Sequence, residues 1–598
     1  MTVYAAPIDE MRFVMTALAG LDEVAALPGY EDATPDLVDA ILEEAGKLGA
    51  EVLAPLNHPG DIAGCVYENG VVRTPEGFKD AYRQFIEGGW QGMPFDPDYG
   101  GMGLPWLVAT AVSEIWHSSN MAFSLCPMLT GGAVELLSTH GSDELKAIYL
   151  GKLISGEWSG TMNLTEPQAG SDLSRVRSKA VRDGDAYRIS GQKVFITHGE
   201  HDMSDNIVHM VLARTPDAPE GIKGISLFVA PKFLPTADGV PGERNDLRCV
   251  SIEHKLGINA SPTAVMAFGD GDGAIGYLVG EENRGIEYMF TMMNNARLAV
   301  GLEGIGVAER AYQQARAFAQ ERVQGRDAAS GKKEPVTIIH HPDVRRMLLA
   351  MKAKTEAARA IAYFTAAQLD RSKHEVDADR RAEAQALVDL LTPVVKAWST
   401  DIGIEVANTN IQVHGGMGYI EETGAAQHLR DARIAAIYEG TNGIQALDLV
   451  GRKVGREKGE TVSHLIAAMR AFAGSDASES PDDDAERAVA ALEPAIDALE
   501  QATQWIADTY GEDPSGVAAG AVAYLDLLGT VAGGWLLARG ARAAVRMRSN
   551  GGGDSDFLEG KLLTARFFAD QILPQAALLA ARVTSGADAV LRVDQRHF

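Results

Sequence analysis

The apolar pattern changes period twice along the chain, and that double switch limits the folds open to it. From about residue 160 to 270 the sequence runs in short stretches rich in β-branched and aromatic residues, at 187–189, 193–197, 207–213, 225–230 and 264–268. Glycine and acidic turn residues punctuate them, so they read as strands. On both sides the apolar residues recur at helical spacing. Helices are expected at 8–18, 37–53, 75–90, 105–120 and 128–155 before the switch, with Thr34-Pro35-Asp36 reading as an N-cap followed by proline in the first turn. After it they are expected at 289–321, 342–372, 380–408 and 429–437. Beyond a linker at 474–484 come further helices at 485–509, 517–545 and 557–585. At 598 residues the chain is too long for one core. It reads as mainly α with an inserted β-domain. The divisions are an extension 1–35, a helical domain 36–159, a β-domain 160–280, a helical bundle 281–458, and a linker with a C-terminal helical domain 459–598.

Charge and cysteine usage narrow the function classes. The net charge is −28, from 82 acidic against 54 basic residues, which disfavours nucleic acid and makes any phosphate site a local one. The three cysteines, Cys65, Cys126 and Cys249, are far apart and lack Cys-x-x-Cys spacing. They imply no disulfide framework or zinc site and fit a reducing, cytoplasmic compartment. The N-terminus has neither a basic region leading into an apolar stretch nor the Arg-rich, acid-poor character of a transit peptide. Residues 516–538 are apolar over the length of a membrane span, but Asp526 interrupts them and Gly and Ala dominate, so one or two buried helices are expected. His340-His341 is an adjacent pair that reads as solvated, and no metal-ligand spacing stands out.

Chemistry concentrates at 412–445, QVHGGMGYIEETGAAQHLRDARIAAIYEGTNGIQ. Gly415, Gly416 and Gly418 let a ligand approach the main chain. Glu439 falls where the helical pattern breaks at Gly440, so its carboxylate lies near a helix end. Its apolar neighbours Ile437, Tyr438 and Ile444 favour a raised pKa, as a base requires. The order Gln-x-x-Gly-Gly-x-Gly-Tyr, Arg-Asp-Ala, Tyr-Glu-Gly-Thr resembles the active-site segment of the acyl-CoA dehydrogenases. Other motifs agree. Residues 162–172, MNLTEPQAGSD, are similar to the family's Thr-Glu-Pro-x-Ala-Gly-Ser-Asp signature. Residues 193–199, KVFITHG, resemble its second β-domain signature, and 94–105, PFDPDYGGMGLP, the loop of its helical N-terminal domain. The C-terminal tail resembles that of the large bacterial members of the 3-methylmercaptopropionyl-CoA dehydrogenase type.

The resemblance implies a helical N-terminal domain, a β-barrel-like middle domain, a four-helix-bundle C-terminal domain and an appended helical domain. It implies FAD as cofactor and assigns Glu439 as the base that removes the α-proton of an acyl-CoA while hydride passes to flavin N5. Flavin contacts fall to Met162, Leu164, Thr165, Ser171, Phe195, Thr197, Gln412, Gly416 and Thr441. Arg322 and Gln324 would meet the pyrophosphate of a neighbouring subunit's FAD, which implies a homodimer. Ser261, Asn294, Arg297 and Gly440 are assigned to the acyl-CoA. The product is a trans-2-enoyl-CoA and the electron acceptor an electron-transfer flavoprotein, with a lean towards 3-methylmercaptopropionyl-CoA or other short or medium chains. An acyl-CoA oxidase, and a non-catalytic nucleic-acid-binding member of the family, stand as alternatives.

Overall fold

The computed structural model describes residues 3–327, 334–475 and 482–598. The middle of the expected linker at 474–484 and of the polar loop 327–337 lies outside the described residues. The chain packs as two units. One holds Met1–Glu43, Pro105–Glu114 and Val300–Phe598, and the other Glu44–Leu104 and Ile115–Ala299.

The second unit is built on an eight-stranded sheet. Its order is Leu247–Ile252, Thr263–Phe268, Ala186–Thr197, Ala274–Leu278, Ser226–Pro231, Asn206–Ala213 and Trp158–Asn163, with Lys179–Asp183 also paired to Ala186–Thr197. Trp158–Asn163 runs parallel to Asn206–Ala213, and the other pairings are antiparallel. Asn206–Ala213 and Ser226–Pro231 are buried at every residue, which is why they read as continuous apolar runs. Tyr187, Ile189, Ile196, Val211, Phe228, Leu247 and Met266 fill the core of the sheet. The expected strands 187–189 and 193–197 are one twelve-residue strand.

The helix Trp106–His140 covers what the sequence divides at 120. It bends at Asn120, whose φ of −159° and ψ of 90° are non-helical. The Asn120 side chain accepts from the Phe123 N–H at 3.1 Å and donates to the Leu53 carbonyl at 3.2 Å, so it works as an internal N-cap.

The first unit is helical. Pro342–His374 and Ala378–His414 are its longest complete helices, packed with Ala521–Ser549 and the part of Gly285–Glu321 that begins at Val300. Close backbone approach is written into glycines. A Cβ on Gly304 would lie 2.3 Å from the Ser399 carbonyl oxygen, and one on Gly529 2.6 Å from the Trp398 ring. Buried ion pairs join distant segments. Arg359 bridges Glu114 and Glu309, and Lys561 bridges Glu356 and Glu10, tying the N-terminal helix Ile8–Phe13 to the C-terminal helices. Thr34 caps Pro35–Leu48 through the Leu37 N–H, as the sequence suggests. Residues 516–538 fall in two helices, Pro514–Ala519 and Ala521–Ser549. Trp106–His140 and Ala521–Ser549 are long and apolar enough to cross a membrane, but 78% and 83% of their most apolar windows are buried in protein, as core helices are.

Candidate active site

In the β-unit the two sequence signatures meet. Trp158–Asn163 carries Met162 in the sheet, and the chain then turns through Leu164 and Thr165, with Ser171 exposed in the segment that follows. The Val194 N–H donates to the Thr165 carbonyl at 2.9 Å. Val194 and Phe195 form a β-bulge: Lys193 faces Met266 and Ile196 faces Ala264, so two residues stand opposite one. A bulge bends the strand and re-aims a side chain. Here it puts Phe195 at φ 61°, a conformation that non-glycine residues rarely adopt, with its ring 62% exposed. Thr197 pairs with Thr263, two residues from Ser261. The Ser261 hydroxyl is buried and has no hydrogen-bond partner among the described residues.

Glu166 and Lys193 fix this arrangement, and neither is a residue to which the resemblance gives a role. The Lys193 ammonium is fully buried and donates to Glu166 at 2.8 Å and to the Leu164 carbonyl at 3.1 Å. Glu166 also accepts from the Arg177 and Ser178 N–H groups and the Ser178 hydroxyl. Burial pushes the Glu166 carboxyl up, but Lys193 and these donors outweigh it and hold it at about 2. The pair is therefore ionised.

Asn294 and Arg297 lie on Gly285–Glu321, where the Arg297 guanidinium donates to Asn294 Oδ1 at 3.3 Å. Asn294 is exposed and Arg297 buried.

In the helical unit, Glu439 lies four residues past the end of Ala425–Ala435 and three before Asn442–Asp448. The expected helix to 437 therefore stops earlier, and the carboxylate sits in a turn. Glu439 and Gly440 both have positive φ, 56° and 82°. The turn is held from several sides. Gln445 Nε2 donates to the Glu439 carbonyl at 3.1 Å, and Lys396 Nζ to the Gly440 carbonyl at 2.8 Å. The Thr441 hydroxyl accepts from the Ile444 N–H and so caps the next helix. Asn442 bonds the Ala397 carbonyl, Thr400 and Asp401. The Tyr438 hydroxyl donates to Glu303 at 2.5 Å.

Glu303 and Lys396 are fully buried charged residues in apolar helical runs, LAVGLEGIG and LLTPVVKAW. That interruption is the signal by which the sequence alone would reveal them.

Gln412 and Gly416 lie exposed at the end of Ala378–His414 and in the 3-10 turn Gly415–Tyr419. A Cβ on Gly415 or Gly416 would meet nothing within 4 Å. Arg322 and Gln324 are exposed at a short hairpin, Val323–Arg326 with Pro335–Thr337. His340 is exposed, and the half-exposed His341 bonds the Gln324 carbonyl through Nε2 at 2.7 Å.

Cys126, His198 and His201 are buried together. They do not form a ready metal site. His201 Nδ1 accepts from the Met203 N–H, and burial pushes the ring's pKa down, so the proton of the neutral ring sits on Nε2. That nitrogen then donates to Ser159 Oγ at 2.9 Å.

Family profiles cover the chain almost end to end. The acyl-CoA dehydrogenase N-terminal domain matches residues 39–157, its middle domain 161–270 and its C-terminal domain 283–454. An acetyl-CoA dehydrogenase C-terminal-like domain matches 465–594. The chain belongs to the acyl-CoA dehydrogenase family. Within it, the chain is 50% identical to 3-methylmercaptopropionyl-CoA dehydrogenase of Ruegeria pomeroyi over 589 residues, 98% of this chain and 99% of the relative. Among solved structures, Caenorhabditis elegans ACDH-11 in complex with C11-CoA has the same fold, with a TM-score of 0.77, 21% identity, and coverage of 99% and 96% of the two chains. So does a Bacillus anthracis acyl-CoA dehydrogenase complexed with FAD, with a TM-score of 0.73, 20% identity, and coverage of 96% and 91%.

Proposed function

We propose that this chain is an FAD-dependent acyl-CoA dehydrogenase that converts 3-methylmercaptopropionyl-CoA, or a short acyl-CoA of similar length, to its trans-2-enoyl-CoA. The observation that carries the reading is the hold on Glu439. A carboxylate stands in a turn of two positive-φ residues, and hydrogen bonds to the carbonyls of both fix its backbone. Strain of this kind persists only where the surroundings over-determine it, and it clusters at functional sites. The choice of substrate rests on the 50% identity that spans both chains.

The α-C–H of a thioester is far less acidic than a carboxylic acid. Glu439 can take that proton only if the thioester carbonyl is polarised where water is excluded. The resemblance to the family implies two donors to that carbonyl, the backbone N–H of Glu439 and a ribityl hydroxyl of FAD. Glu439 would thus hold the carbonyl with its backbone and the α-proton with its side chain. FAD, when bound, supplies the acceptor for the β-hydrogen and its electron pair. Phe195, strained and turned out to solvent, offers it an aromatic face, and the open backbone at Gly415 and Gly416 suits close approach of a large group. By the resemblance, Met162, Leu164, Thr165, Ser171 and Thr197 in one unit, and Gln412 and Thr441 in the other, would be residues that contact a flavin. Ser261, Asn294, Arg297 and Gly440 hold the acyl-CoA. Arg322 and Gln324 serve the FAD of a second copy in a homodimer, and an electron-transfer flavoprotein takes the electrons away.

Anaerobic titration of the flavin-loaded protein with acyl-CoAs tests the reaction. 3-Methylmercaptopropionyl-CoA should bleach the visible flavin band. Glu439→Gln should bind flavin and substrate yet lose activity by about 10³-fold or more. A Glu439→Gln protein that still bleaches at the normal rate would remove Glu439 as the base.

A further inference from the structure

The turn that carries Glu439 is gripped by two buried side chains that no family assignment uses. Lys396, on Ala378–His414, bonds the Gly440 carbonyl and the Asn442 side chain, each at 2.8 Å. Glu303, on Gly285–Glu321, takes the Tyr438 hydroxyl through Oε2. The residue before Glu439 and the residue after it are thus anchored from different helices. Glu303 is wholly buried, and its other oxygen, Oε1, has no hydrogen-bond partner among the described residues. An ionised carboxylate in that setting would leave lone pairs unsatisfied, whereas a neutral acid leaves less unmet.

Resting on the assignment of Glu439 as the base, we propose that Glu303 is a positioning residue for the reaction: as a neutral acid it holds Tyr438, and through Tyr438 it fixes where the Glu439 carboxylate meets the α-proton. The charged and titratable groups around it are consistent with the neutral form. Burial above all, with Glu439 adding to it, raises the Glu303 carboxyl to about 8 against the Tyr438 hydrogen bond and the Lys396 ammonium, which pull it down. Asp401 is one turn further along the Lys396 helix. Burial raises its pKa, and Asn442, Lys396 and Arg433 moderate the shift. Were Glu303 ionised, two carboxylates would compete for one buried ammonium beside the reacting bond.

Position, unlike charge, is restored by an isosteric neutral acceptor, and this sets the test. Glu303→Leu and Tyr438→Phe should each lower kcat by about tenfold or more at pH 7 with KM changed less than threefold. The α-deuterium isotope effect on kcat should rise, because proton removal becomes slower while the later steps do not. Glu303→Gln, which keeps an acceptor for Tyr438, should recover most of the loss. A normal kcat in both Glu303→Leu and Tyr438→Phe, or a Gln variant as slow as the Leu variant, would overturn the proposal. So would a loss seen only in KM with an unchanged isotope effect. If Glu303→Leu fails to load flavin, the Tyr438→Phe and Glu303→Gln pair decides alone. Glu439→Gln separates the two levels. Normal turnover in it removes the base and this proposal together, whereas a dead Glu439→Gln beside normal Glu303→Leu and Tyr438→Phe removes the proposal only.

Discussion

Glu303→Gln should make the protein more stable, and by an amount that grows with pH. In the unfolded chain a glutamate carboxyl titrates near 4.5, while burial holds the Glu303 carboxyl up to about 8 in the fold. Between those values the folded protein keeps a proton that the unfolded chain has released. The slope of unfolding free energy with pH follows protons bound in the unfolded state minus those bound in the native state, and is therefore negative here. Wild-type stability from this group is fully present below about 4.5 and is lost as pH rises towards 8. Each pH unit in the window is worth about 1.4 kcal/mol, so the loss reaches about 3 kcal/mol at pH 7. Glutamine has no such proton to keep. Its amide also replaces the unpaired Oε1, which changes stability by a constant that does not depend on pH. Urea unfolding of wild type and Glu303→Gln side by side at pH 5, 6, 7 and 8 reads the difference directly. With an m-value of about 3 kcal/mol per molar, the midpoints should separate by about 1 M between pH 5 and pH 7.5. Curves that stay parallel throughout would mean that Glu303 is ionised in the fold, and the argument for a neutral acid behind the Glu439 turn would fail.

Three further outcomes are expected. Glu166→Gln leaves the Lys193 ammonium buried without its counter-charge, so it should cost about 3 kcal/mol in thermal or urea unfolding and weaken flavin retention. The double variant with Lys193→Met should recover part of that, and an additive second loss would show that the two do not act as a pair. Gly440→Ala places a Cβ 2.7 Å from Gln445 Nε2 at a φ of 82°, which should cost about 1–2 kcal/mol and reduce turnover with flavin content unchanged. Normal turnover in that variant would mean the turn has slack. Sedimentation of the flavin-loaded protein should give a dimer, and Arg322→Ala with Gln324→Ala should lower flavin content; a flavin-replete monomer would refute the shared site.

The glycine-rich turn and the helix that lead to Glu439 were legible because their signals are local. Glycines, a helix and a carboxylate follow one another in the order expected, with the helix shifted from 429–437 to Ala425–Ala435, while the helix Asn442–Asp448 that follows was not foreseen. Four of the eight sheet strands were legible for the same reason, since period and turn residues are short-range signals, whereas Trp158–Asn163, Lys179–Asp183, Leu247–Ile252 and Ala274–Leu278 were not foreseen. What escaped depends on partners far along the chain. The bulge at Val194 and Phe195 exists because Thr263–Phe268 supplies one residue fewer opposite them, and no window around Phe195 contains that count. The Glu166–Lys193 pair spans 27 residues, and the Tyr438–Glu303 bond spans 135. A charge within an apolar helical face is visible in the sequence, but its partner is not.

The turn at Glu439 shows why such partners are needed. If Glu439 is the base, as proposed, glycine cannot stand in its place, yet the chain between Ala425–Ala435 and Asn442–Asp448 holds two successive residues at positive φ. Gly440 takes one at little cost. Glu439 takes the other against a penalty of about 1–2 kcal/mol. A single net hydrogen bond is worth about as much, so one alone leaves the conformation marginal. The Gln445, Lys396 and Thr441 bonds together exceed the penalty, and they do so through backbone atoms and the cap of the next helix. Fixing the main chain from several helices is how the residue proposed as the base is positioned.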